Sequence, residues 1–460
     1  MERPNAWNCY EEGDLAQVKL IGDEYRGLLS RCKTEREWTR EIVRRLEKAG
    51  YRSLEAARKS GKGLKAGDKV YEVRMGKAVL SFHLGKAPLE EGMNIVGAHI
   101  DSPRLDLKQN PLYEDSGLAY GDTHYYGGIK KYQWVARPMA LHGVIAKKDG
   151  SVVDLVIGEK EDDPVVGISD LLIHLAKDQM EKKLADGIGG EDLDLILAGQ
   201  PLKGEEKDAV KAMLLKILKD EYGMEEEDFL SAEIEVVPAG PARDFGLDRS
   251  MILGYGHDDR VCAYAELKAI EGIENTPDAT CCGMFVDKEE IGSVGATGMR
   301  ANYLENAVAE ILDLMGVYSE LKVRRALQNS RMLSCDVSAG YDPLYASAFE
   351  KKNAAYLGRG VCFNKFTGSR GKSGSNDANA EFMGKLRRIM DDNQIRWQTA
   401  ELGKVDVGGG GTIAYICALY GMEVIDSGVA VLSMHAPCEI ISKADLYEAV
   451  RAYHAFMLHA

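Results

Sequence analysis

MNIVGAHIDSP, residues 93–103, decides how the chain is read. An apolar, β-branched run bounded by Gly92 ends abruptly in a histidine and an aspartate, which is the pattern of a buried strand opening into polar groups at its carboxyl end. His99 and Asp101 stand two apart. In extended backbone both project to one side, so Asp101 can accept the second ring proton of His99. Taken alone, His99 is better explained as a buried histidine satisfied by the backbone.

Four further segments share this layout: GYGHDDRVCAYAEL (254–267), MFVDKEEIGS (284–293), MLSCDVSAG (332–340) and VAVLSMHAP (429–437). Each runs from apolar or glycine-rich residues into a carboxylate or histidine. In open α/β sheets the carboxyl ends of the strands border the ligand crevice, so such residues converge there. Histidine nitrogen and carboxylate oxygen without thiolate suit catalytic zinc, cobalt or manganese. Asp258 and Asp259 are also ordinary helix caps for VCAYAEL. Glu289 and Glu290 are harder to explain as a solvated face, standing between MFV and the tight IGSVGATG; one can bind metal while the other moves protons. Asp336 and His435 extend the set.

The length of 460 residues implies two domains, and a hydrophobic fraction of 45% is ordinary for globular protein. Strand patterns such as KAVLSFHL (77–84) and the alternation of helix and strand after Gly254 predict an α/β fold with a mostly parallel sheet. Residues 14–48 read as amphipathic helix. Between Lys108 and about Val237 the character changes. THYYGGIKKYQW (123–134), the strand candidates ALHGVIA, VVDLVIG and AEIEVVPAG, and a helical DLLIHLAKDQMEKK (170–183) mark a separate unit. The expected division is a catalytic domain of residues 1–107 and 245–460, with residues 108–244 inserted as a smaller β-rich domain.

A net charge of −15 excludes nucleic acid and membrane surface as general partners. Nine cysteines without a CxxC suggest neither a disulfide framework nor a thiolate zinc site, and hence a reducing compartment. MERPNAWNCYEEGD lacks the basic start and apolar run of a signal peptide, so a cytoplasmic location is expected. FTGSRGKS (366–373) falls short of a phosphate-binding loop, because Phe366 stands where its first glycine belongs. Lys365, Arg370 and Lys372 can instead hold a substrate carboxylate. Gly408–Gly411 permit close backbone approach or make a turn before a helical TIAYICALYG.

In order and approximate spacing, GAHIDSP, HDDR, KEEIGS, SCDVSAGYDP, VGGGGTIA and SMHAP resemble the aspartyl aminopeptidase and aminopeptidase I family of binuclear metallopeptidases, along essentially the whole chain. The resemblance implies that Asp258 bridges two divalent ions, zinc before cobalt or manganese, with Glu290 and His435 completing one ion's shell and His99 and Asp336 the other's. The adjacent Asp259 leaves the bridge ambiguous by one residue. Glu289 would be the general base, Asp101 the partner of His99, and His174 a residue reaching the active site of a neighbouring subunit. The architecture implied is a catalytic α/β domain interrupted by a dimerisation domain, with dimers built into a homo-dodecamer. The activity implied is hydrolysis of the N-terminal peptide bond of small peptides, with a preference for acidic first residues. Two other readings are a different binuclear amidohydrolase, such as a deacylase or dipeptidase, and a non-catalytic assembly protein of the same fold.

Overall fold

Residues 3–368 and 373–460 are described by the structure, a computed structural model. The chain divides into two units. The larger comprises the chain up to Asp101, Ala242–Met434 and Glu439–Ala460; the smaller comprises Ser102–Pro241 and His435–Cys438.

The larger unit is built on a nine-stranded sheet. Its order is Arg52–Ser53, Lys69–Arg74, Ala78–His83, Thr280–Val286, Met93–His99, Arg331–Cys335, Glu423–Gly428, Val361–Asn364 and Trp397–Thr399. The centre is parallel: Met93–His99 lies between Thr280–Val286 and Arg331–Cys335. Antiparallel pairing joins Ala78–His83 to both its neighbours and Val361–Asn364 to Glu423–Gly428.

Alternate residues of the central strands serve opposite faces. Val96, Ala98, Phe285 and Leu333 pack with Trp38, Ile42, Tyr264 and Phe456 from helices Glu35–Lys48, His257–Glu271 and Lys443–His459. Ile95, Met284, Val286 and Met332 pack on the other side with Tyr303, Leu304 and Ile311 from helix Tyr303–Leu314. Burial on both faces is why these strands read as unbroken apolar runs. Trp38 is 0% exposed, and truncating such a side chain to alanine costs about 3–5 kcal/mol.

The amphipathic stretch near the amino terminus is two helices, Glu12–Arg31 and Glu35–Lys48. Thr34 starts the second: its Oγ1 accepts from the Glu37 N–H at 3.2 Å, and the Glu37 carboxylate accepts from the Thr34 N–H at 3.1 Å. This reciprocal pair satisfies two amides that the first helical turn leaves without partners. A separate five-stranded sheet in the same unit orders Arg243–Phe245, Met251–Gly254, Glu439–Ser442, Ala430–Leu432 and Ser338–Ala339.

The smaller unit is an antiparallel six-stranded sheet: Val152–Ile157, Met139–Ala146, Ala232–Pro238, Arg104–Asp115, Leu118–Tyr126 and Leu195–Ala198. Its strand candidates fold as expected, but the helix over DLLIHLAKDQMEKK does not form. Only Lys177–Met180 is helical, and a turn precedes it. Leu171, Leu172, Ile173 and Leu175 are 47%, 54%, 67% and 67% exposed. Helical stability in proteins comes mainly from burying one face, and these consecutive apolar residues bury none within their unit. TIAYICALYG likewise yields only the five-residue helix Ala414–Ala418. Among the described residues, no helix is long and apolar enough to cross a membrane.

Candidate metal centre

His99 closes the central strand, and the parallel strands on either side end at Val286 and Cys335. Asp287–Glu290 and Asp336 therefore leave the sheet along the same edge as His99, where the crevice of an α/β sheet opens. Asp258 approaches from helix His257–Glu271, which Gly256 enters with φ +76°. At Asp258 the backbone is non-helical (φ −79°, ψ 110°), and its N–H donates to Glu439 Oε2 at 3.0 Å. The aspartates thus interrupt the helical start.

These placements converge. His99 Nε2 lies 3.1 Å from Asp258 Oδ1. One ligand-capable atom each of His99, Asp258 and Asp336 fall within 4.8 Å of one another, and a Glu290 carboxylate oxygen is within 4.8 Å of Asp258 as well. Asp259 takes no part in these groupings; it is fully buried and faces the Cys262 thiol.

Asp101 does more than its spacing to His99 suggested. His99 Nδ1 is 3.0 Å from the Asp101 carbonyl and 3.4 Å from its carboxylate, so the nearer partner is the backbone. The carboxylate accepts instead from the backbone N–H groups of Glu289 and Glu290, each at 3.2 Å. Asp101 is therefore the residue that ties the glutamate pair to the histidine turn. Lys288, just before the pair, has φ +67°, and Thr297 Oγ1 donates to Asp287 at 2.5 Å, holding the same turn. Burial, then the charges of Glu35 and Asp101, push Asp287 up to about 6.

Burial pulls the His99 pKa down, but the Asp101 and Asp258 carboxylates outweigh it and hold the imidazole well above its ordinary value. Asp336 is driven up by desolvation and then by the charges of Asp258 and Glu289. Mutually repelling carboxylates gathered on one histidine are what a divalent cation relieves, and imidazole with carboxylates and no thiolate is a catalytic zinc donor set. The residues fit the metal.

His435 has φ +63°, belongs to the short segment grouped with the smaller unit, and donates from Nδ1 to the Gly128 carbonyl at 2.8 Å, which puts the lone pair on Nε2. His174 is exposed in the turn before Lys177–Met180. Lys365 is paired with Asp377 and lies 4.2 Å from the Phe366 ring centroid; Arg370 and Lys372 lie outside the described residues. Sequence reasoning gave no role to Glu439, Thr297 or Arg260. The signal for Arg260 was present in a permanent charge followed directly by the apolar VCAYA.

Residues 28–457 match the family model described as aminopeptidase I zinc metalloprotease (M18). A probable M18 family aminopeptidase 1 from Clostridium acetobutylicum is 58% identical over 457 residues, covering 99% of this chain and 98% of its own. The crystal structure of an M18-family aminopeptidase from Thermotoga maritima superposes with a TM-score of 0.95 at 46% identity, covering 100% of both chains. The S. cerevisiae mApe1 dodecamer shares the fold, with a TM-score of 0.77 at 20% identity over 96% of this chain and 97% of its own.

Proposed function

Because this chain belongs to the M18 aminopeptidase I family of zinc metalloproteases, we propose that it removes the first residue of small peptides with two zinc ions and Glu289 as general base. The observation that carries this reading is the convergence of His99, Asp258 and Asp336 from separate elements onto one point. Asp258 would bridge the ions, with His99 and Asp336 completing one shell and Glu290 and His435 the other.

Bound there, the two cations supply Lewis acidity toward the scissile carbonyl and the attacking water. Glu289 takes the proton from that water and returns it to the leaving amine. Its backbone is fastened to Asp101, which also faces His99, so base and ligand keep a fixed relation. Requirement for a free substrate amino group would come from its binding beside the acidic ligands. Lys365, Arg370 and Lys372 would favour an acidic first side chain.

His174 would serve the active site of a second copy by donating to the developing oxyanion. On this reading residues 108–244 form a dimerisation domain, and the dimers build a dodecamer, the oligomer named for mApe1. A cytoplasmic location accords with nine free cysteines.

A panel of aminoacyl substrates, assayed with zinc, cobalt and manganese, tests the proposal. Free-amino substrates should be cleaved and their N-acetyl forms should not; equal cleavage of both would replace the aminopeptidase reading with a deacylase or endopeptidase one. Lys365→Ala should weaken aspartyl and glutamyl substrates more than leucyl ones. Equal effects across the panel would remove Lys365 from specificity.

A further inference from the structure

Arg260 is 0% exposed and stands two residues after Asp258. Its Nε–H donates to the carbonyl of Ile100 at 3.0 Å, and its guanidinium lies 5.3 Å from the centroid of the Tyr255 ring. The two terminal nitrogens have no hydrogen-bond acceptor among the described residues. A permanently charged group so placed costs free energy, and a well-packed apolar side chain of similar volume is often neutral or stabilising in its place. Stability therefore does not account for the residue.

Its hydrogen bond to Ile100 does. Ile100 is the residue between His99 and Asp101, so the bond joins the turn holding His99 to the helix start holding Asp258. Those two side chains are 3.1 Å apart. From another direction Glu439 accepts the Asp258 N–H at 3.0 Å. Both backbone segments that present the ligands are thus held by buried side chains.

We infer that Arg260 is a positioning residue for zinc, clamping the His99 turn against the Asp258 turn so that both ligands are preset. The inference rests on the reading of His99 and Asp258 as ligands. The positive charge by itself opposes cation binding, so the clamp and the charge act with opposite sign. Removing the charge alone tightens zinc; removing the clamp loosens it.

Zinc affinity, by competition with a chromophoric chelator, and the thermal midpoint of the zinc-free protein would be measured for Arg260→Met, Arg260→Lys and His99→Ala. Arg260→Lys, which keeps the charge and loses the clamp, should bind zinc about 10–100-fold more weakly, the range usual for loss of a group that orients a ligand, and Arg260→Met, which loses both, should be weakened less. Zinc-free Arg260→Met should unfold no earlier than the unmodified chain. Unchanged or tighter zinc binding in Arg260→Lys would overturn the clamp, as would a lowered midpoint in both variants with unaltered zinc affinity. His99→Ala separates the two levels. If it binds zinc normally, the ligand reading fails; if it loses zinc while the Arg260 variants do not, the positioning inference alone fails.

Discussion

His99 and His174 are both flanked by apolar residues in sequence, yet the fold treats them oppositely. His99 ends a strand buried on both faces, with each ring nitrogen within hydrogen-bond distance of an acceptor. His174 sits in a turn whose apolar neighbours Ile173 and Leu175 are each 67% exposed. One position is determined by the packing of its own unit. The other takes nothing from the packing of its unit, so any function it has must come from what meets it.

The sharpest way to break this comparison is to remove Asp258. Asp258→Ala should lose zinc and turnover together, the latter by about a thousandfold or more, since Lewis-acid stabilisation is worth several kcal/mol. Elemental analysis checks the metal. Full occupancy would transfer the bridge to Asp259 and deny the buried site its hub.

His174→Ala should retain zinc and native oligomer size while turnover falls by about a hundredfold, the cost of an oxyanion donor. Co-expression with Glu289→Gln should restore some active sites, because one copy would supply the histidine and the other the base. Mixed oligomers of native size, checked by sedimentation, that recover no turnover would mean His174 acts within its own chain or not at all.

How much of this was legible depends on where each residue's energy comes from. The strands ending at His99, Val286 and Cys335 were readable because burial on both faces leaves an apolar run that a ligand must interrupt. The mutual spacing of His99, Asp258 and Asp336 was not, since it depends on sheet order, which no local pattern encodes. Asp101 was found by its two-residue spacing to His99, but its two bonds to the glutamate turn were invisible, being contacts to backbone 188 and 189 residues away. The helix assigned to DLLIHLAKDQMEKK failed for the converse reason. Its apolar content promised a buried face that the unit does not provide.

A smaller effect sharpens the contrast between buried and exposed groups. Burial pushes Asp426, on strand Glu423–Gly428, up to about 7, although the Thr412, Ser334 and Thr367 hydroxyls act against the rise. A carboxyl raised in the folded state binds its proton more tightly there than in the unfolded chain. Its contribution to stability is therefore complete below the ordinary carboxylate range and is lost as pH rises through about 7. The thermal midpoint should fall more steeply between about pH 4 and 7, from the ordinary carboxylate range up to that raised value, in the unmodified chain than in Asp426→Asn. Parallel curves would show that Asp426 does not titrate in this window.

On the proposed function, Glu289 moves protons while its neighbour Glu290 binds metal. Measuring zinc content and peptide turnover on the same preparation of Glu289→Gln tests it most directly. Two zinc ions per chain retained, with turnover reduced about a hundredfold or more, is the expected result for loss of a general base. Near-normal turnover, or zinc lost in step with activity, would contradict it.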